Sequence, residues 1–177
     1  MKAICDFGGR LRHYADSSAH RNRYPFFIPD TSAEWSVKIC PAVKINRLGT
    51  HISEKFAPRY YDAVSAVALF MPSVSAADFA NADERYFLCD SAYCCGELAA
   101  VGEADKDHVI QVGDKELTFS LASLSVDKKI SELSKFVTLK IGDLLIFAEH
   151  SVDVNINEGG LLSVSLDGEE VIDVKIK

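Results

Sequence analysis

Apolar and polar residues alternate along much of this chain, most regularly at its C-terminus. Leu162, Val164 and Leu166 are separated by Ser163 and Ser165. After Asp167-Gly168, Ile172, Val174 and Ile176 alternate with Asp173, Lys175 and Lys177. This predicts a hairpin with one face on a core. His108–Val112 and Lys115–Leu121 flank Gly113-Asp114 and predict a second hairpin. Trp35, Val37 and Ile39 alternate with Ser36 and Lys38, so residues Glu34–Asn46 read as a long strand. Pro41 falls inside it and predicts an edge strand or a bulge. The unbroken apolar runs Ala63–Met71 and Leu144–Ala148 have the length of strands buried on both faces. Met1–Phe7 predicts an initial strand stopped by Gly8-Gly9, and Ala92–Val101 reads as extended.

Helical signals are shorter. Ile130, Leu133, Phe136 and Val137 have the spacing of an amphipathic helix over Asp127–Phe136, with Asp127 placed to cap it. Ser53 is positioned as the N-cap of a short helix limited by Pro58, and Ser75–Arg85 is Ala-rich and serine-capped. Tyr14–His20 has room for one or two helical turns. These signals predict one α+β domain, mainly β, spanning residues 1–177.

Composition narrows the chemistry. The net charge of −7 disfavours a nucleic-acid partner, which needs clustered Lys and Arg. Arg10, Arg12, Arg21 and Arg23 are the one basic concentration near the N-terminus and read as solvated surface in preference to an anion site. Five cysteines, two of them adjacent, argue against a disulfide framework and for a reducing, cytoplasmic setting. The spacing of a zinc site is missing, as is an apolar run of membrane-spanning length. Asp153, Asn155, Asn157 and Glu158 alternate like a calcium loop but lack its glycine and terminal spacing, and read as a solvated turn.

Three phrases carry a resemblance: Pro25-Phe-Phe-Ile-Pro-Asp30, the stretch from Ile45-Asn-Arg-Leu-Gly-Thr-His to Arg59-Tyr-Tyr-Asp62, and Ser134-Lys-Phe-Val-Thr-Leu-Lys-Ile-Gly-Asp-Leu-Leu-Ile146. In order and approximate spacing they resemble the fumarylacetoacetate hydrolase family, over nearly the whole chain. The resemblance implies a mixed β-roll with short helices, usually a homodimer. It also implies a divalent cation, Mg or Mn, held by a Glu-x-Glu pair and an Asp on a neighbouring strand, which stabilises an enolate in a 2-oxo acid or β-dicarbonyl substrate.

Transferred residue by residue, the motif loses its chemistry. The Glu-x-Glu positions fall on Lys38 and Cys40, the Asp on Leu69, the catalytic His on Ser17, and a family Lys on Tyr86. The Gly-Thr-Pro loop falls on Ala148-Glu149-His150. An ammonium, a thiol and an isobutyl group are no site for a hard cation. No cofactor, no metal and a non-catalytic, binding or assembly role are therefore expected, as a homodimer or a heteromer with an active relative. A small-molecule ligand, such as a carboxylate held by Lys38, is a further expectation. The alternative is a divergent hydrolase, decarboxylase or isomerase of a small oxo acid using Lys38, with Cys40 or His150. Lys38 could instead hold Glu149 or Glu34. The plainer readings, that Lys38 snorkels from a remodelled, filled pocket and that Cys40 is a small buried hydrophobe, are preferred. A pocket filled by Leu69, Trp35 or Phe70 would favour the non-catalytic reading. Glu149 and His150 read as surface loop residues; on a strand they would point to opposite faces and not act together unless the backbone turns there.

Overall fold

A computed structural model describes residues 2–30, 34–72, 84–103 and 106–177. Its framework is a curled nine-stranded sheet. Along its main path the order is β2 (Leu11–Tyr14), β1 (Ala3–Asp6), β10 (Leu144–Phe147), β4 (Trp35–Ile45), β5 (Tyr61–Pro72), β6 (Tyr93–Cys95) and β3 (Ala19–His20). Two strands lie off this path: β11 (Val152–Asn155) pairs with β4, and β7 (Ala99–Ala100) pairs with β5. A second sheet of four strands runs β13 (Glu169–Lys175), β12 (Leu161–Leu166), β8 (His108–Val112), β9 (Lys115–Phe119). Helix α1 (Arg85–Leu88) is a single turn, and α2 (Val126–Leu133) is longer. The mainly-β expectation holds.

The β4–β5 pair is the spine. Its antiparallel register runs from Trp35 opposite Pro72 to Ile45 opposite Tyr61, with one irregularity at Lys44/Ile45. Both strands are buried on both faces. Trp35, Val37, Ile39, Val64, Ala66, Ala68 and Phe70 face the main core, which the four-stranded sheet and α2 complete. Cys40, Ala42, Val67, Leu69 and Met71 face a second, smaller cluster on the opposite side. The two-residue period of a strand produces this split.

Pro41 is neither on an edge strand nor in a bulge. It pairs with Ala66 in the middle of the spine. On the other flank of β4, β10 pairs no further than Ala42, and β11 begins at Ile39. The residue without an N–H therefore stands at the junction between two partner strands, where a missing ladder bond costs least.

Three other expectations need correcting. Helix α2 ends at Leu133, not Phe136, because Ser134 turns away: its carbonyl accepts from His51 N–H at 2.8 Å and its hydroxyl from Ile52 N–H at 2.9 Å. Phe136 is 88% exposed in consequence. Asp127 is not the cap, since Ser125 holds that position in the left-handed region and Asp127 accepts instead from the Tyr61 hydroxyl at 2.9 Å. The turn expected around Asp153 begins with strand β11. Tyr14–His20 contains only a 3-10 turn, Asp16–Ser18, and the helix expected over Ser75–Arg85 lies mostly outside the described residues.

Candidate functional site

The register of the spine brings three sequence-singled positions together. Lys38 lies directly opposite Leu69, and Cys40, two residues along on the same face, lies opposite Val67. Lys38 also pairs with Asp153 of β11 on its other flank, and Leu69 pairs with Tyr93 of β6. One row across four strands thus reads Asp153, Lys38, Leu69, Tyr93.

This face is filled. Leu69, Cys40 and Val67 share a buried cluster with Cys5, Tyr14, Met71, Phe87 and Tyr93. Tyr14 packs edge-on against Phe87 at 5.4 Å between ring centres, and lies 5.6 Å from Tyr93. Leu69 is part of the filling. Trp35 and Phe70, also expected there, fill the opposite face, where Phe26 stacks on Phe70 at 3.9 Å. The concavities of 280 Å³ beside Asp6 and Lys129 and of 330 Å³ beside Trp35 and Glu158 are lined by other residues.

Lys38 is 3% exposed, and its ammonium donates to Asp153 Oδ1 at 2.5 Å and Ser151 Oγ at 3.2 Å. Its carboxylate partner is therefore Asp153, not Glu149 or Glu34, because β11 sets Asp153 opposite it in register. Asp153 is the more exposed partner at 67%, so one end of the pair meets solvent. Asp153 lies in a strand and not in the solvated turn expected there, and the alternation of Val152 and Val154 with Asp153 and Asn155 is the sequence signal for it.

Cys40 does not become a nucleophile through Lys38. Burial pushes its thiol well up, and the lowering influence of the ammonium does not offset this. Cys5 beside it is raised in the same way, by burial first and then by Cys40. Burial also raises the Tyr93 phenol to about 12. The hydroxyls of Tyr14 and Tyr93 are buried without a hydrogen-bond partner among the described residues.

Of the remaining positions, Tyr86 packs against this buried wall. Ser17 is exposed in the 3-10 turn. Tyr86 is half-buried with its ring 6.4 Å from Trp35. Glu149 and His150 occupy a turn after β10, not a strand, and do approach one another, Oε1 to Nε2 at 3.7 Å, with both side chains 38% exposed. Among the described residues no group of three or more His, Cys, Asp or Glu is arranged to hold a metal ion.

No protein-family model matches the chain, and no curated protein sequence does. Solved structures do. A protein of Yersinia pestis assigned to the fumarylacetoacetate hydrolase family superposes at TM-score 0.75 with 17% identity, covering 99% of this chain and 92% of its own. The chain has the fold of that family. The 2-hydroxyhepta-2,4-diene-1,7-dioate isomerase of Mycobacterium marinum superposes at 0.78 with 16% identity, over 99% of this chain and 73% of its own. The fumarylpyruvate hydrolase of Pseudomonas aeruginosa, solved with Mn2+ and pyruvate, gives 0.74 and 14% over 99% and 89%. Proteins of this fold thus include hydrolases and isomerases. No helix among the described residues is long and apolar enough to cross a membrane.

Proposed function

We propose that this chain is a non-catalytic member of the fumarylacetoacetate hydrolase family, with a binding or assembly role. One observation carries the reading: Lys38, Cys40 and Leu69, which fall on the family's three ligand positions, stand together on one buried face, and none of them is an oxygen donor. A divalent cation needs several oxygen ligands. Here the donor set is an ammonium already bonded to Asp153, a thiol held neutral by burial, and an aliphatic group. These residues do not fit Mg or Mn. The divergent-enzyme alternative loses its support at Lys38, committed to Asp153, and at Cys40.

In this reading the chain works as a homodimer or beside an active relative. Its five free cysteines suit a reducing, cytoplasmic compartment. The test is a titration of the purified protein with Mg2+ and Mn2+ by calorimetry, followed by assays with oxaloacetate and acylpyruvates. Neither metal binding nor turnover is expected. Metal binding with a Kd of 100 µM or below, or turnover near the ~10 s⁻¹ typical of enzymes, would overturn the proposal. The triple variant Lys38→Glu, Cys40→Glu, Leu69→Asp is expected to gain metal affinity if it folds.

A further inference from the structure

Two segments of this acidic chain form a surface of opposite character. Residues 46–60 and 134–141 are tied together by backbone bonds. Gly49 and Leu139 exchange N–H···O bonds at 3.0 and 2.9 Å, and His51 N–H donates to Ser134 O at 2.8 Å. The first segment folds back on itself through Asn46 N–H to Tyr60 O at 2.9 Å. Together they carry Arg47, Lys55, Arg59, Lys135 and Lys140 against the single carboxylate of Glu54, a net +4 in a chain of −7. None of the five cations has a carboxylate partner among the described residues, although Lys2, Arg12, Arg23, Lys38, Lys106 and Lys129 do.

The same segments hold exposed apolar groups. Leu48 is 63% exposed, Phe136 88% and Ile141 70%, and Phe56 and Val137 are also exposed. These are five of the eleven large exposed apolar side chains among the described residues. Exposed apolar groups set beside charged ones have the character of an interaction site, although Phe136 lines the concavity that holds Asp6, Lys129 and Glu132. Arg and aromatic residues are the side chains enriched where protein partners meet.

The geometry points to docking of an acidic protein surface that carries apolar side chains, with the cations meeting carboxylates and Leu48 and Phe56 meeting the apolar groups. The cations sit on the rings: Lys55 lies 4.8 Å and Arg59 5.1 Å from the Phe56 ring centre, and Arg47 5.9 Å from that of Tyr60. A bilayer suits this arrangement poorly, since burying Phe56 in hydrocarbon would take two cations with it. A two-fold contact with a second copy through the same patch would set like charges against each other. The inference does not depend on whether the buried wall of β4 and β5 is catalytic.

The test uses the intact chain and a fluorescein-labelled 14-residue peptide alternating Glu with Leu and Phe. A matched peptide with Gln for Glu, single-stranded RNA, and phosphatidylserine vesicles serve as competitors. The Glu peptide is expected to bind at least tenfold more tightly than the Gln peptide, and to weaken at least threefold between 50 and 300 mM salt. Arg47→Glu with Arg59→Glu is expected to weaken it at least tenfold, and Phe56→Ser at least threefold, with melting temperatures unchanged. Equal binding of the two peptides overturns the inference. So do no binding at 1 mM, stronger binding of RNA or vesicles, indifference to the substitutions, and a concentration-dependent dimer abolished by them.

Discussion

The Lys38–Asp153 pair predicts an asymmetric response to mutation. Asp153→Ala leaves an ammonium that is 3% exposed with, among the described residues, only Ser151 Oγ at 3.2 Å as partner. Breaking a buried pair from one side costs about 3–5 kcal/mol. Asp153 is 67% exposed, so solvent screens the bond and the lower figure for a hydrogen bond to a charged group, roughly 2 kcal/mol, is appropriate. Lys38→Met removes the buried charge, keeps most of the chain's volume, and frees Asp153 into water. Its cost is expected to be within about 1 kcal/mol of zero, because desolvation and attraction nearly cancel in such pairs. The double variant should then match Lys38→Met and not the sum of the two. Urea unfolding at pH 7 with a common slope reads these differences, and Asp153→Ala should melt roughly 4–8 °C lower for a chain of this size. The reasoning fails if Lys38→Met costs as much as Asp153→Ala, or if the costs add.

Three further outcomes are expected. At pH 8 the native protein should leave the buried Cys5, Cys40 and Cys94 unmodified by iodoacetamide, with full labelling in urea, because burial raises all three thiols; peptide mapping by mass spectrometry reads this. Tyr14→Phe and Tyr93→Phe should each be neutral or stabilising by up to about 1 kcal/mol in a thermal melt, since each removes a buried hydroxyl without a partner among the described residues. Asp167 predicts acid sensitivity: burial favours raising its carboxyl, but bonds from Val109 N–H and His108, with Lys106 nearby, outweigh this and hold it below the usual carboxylate range. A depressed folded-state value means that its contribution is present above about pH 4 and lost as pH falls through the lower value. Asp167→Asn should flatten that part of the stability–pH curve.

The elements that were legible in sequence are those long enough to show their period. β4, β5 and the two C-terminal-half hairpins each present four or more residues of alternation or unbroken apolarity, whereas the pairing of β4 with β5 is a finding of the structure. β3 and β7 have two residues each, too few for any periodicity. β2 exposes Leu11 and buries only Tyr14, so its pattern carries no face. The apolar spacing of Phe136 and Val137 continues the helical period past the true end of α2, where Ser134 instead accepts tertiary bonds from the N–H groups of His51 and Ile52. Pro41 misled for a similar reason: its tolerance depends on where two distant strands, β10 and β11, exchange places beside β4.

The row Asp153, Lys38, Leu69, Tyr93 predicts that a single substitution would not create a metal site there. A divalent cation placed near Lys38 would meet an ammonium fixed from one side by Asp153 and Ser151, and an aliphatic side chain directly opposite. Leu69→Asp alone would add a carboxylate to a cluster of Val67, Met71, Phe87 and Tyr93, and that charge would face burial without a cation. Lys38→Glu alone would set a carboxylate opposite Asp153, two like charges in register across β4 and β11. Each step toward a site is unfavourable until the others are present. The present set is mutually consistent: the buried cation has its carboxylate, the thiol is neutral, and the leucine packs among aromatic rings. Residues that share partners couple, so substitutions at the three positions are expected to be non-additive.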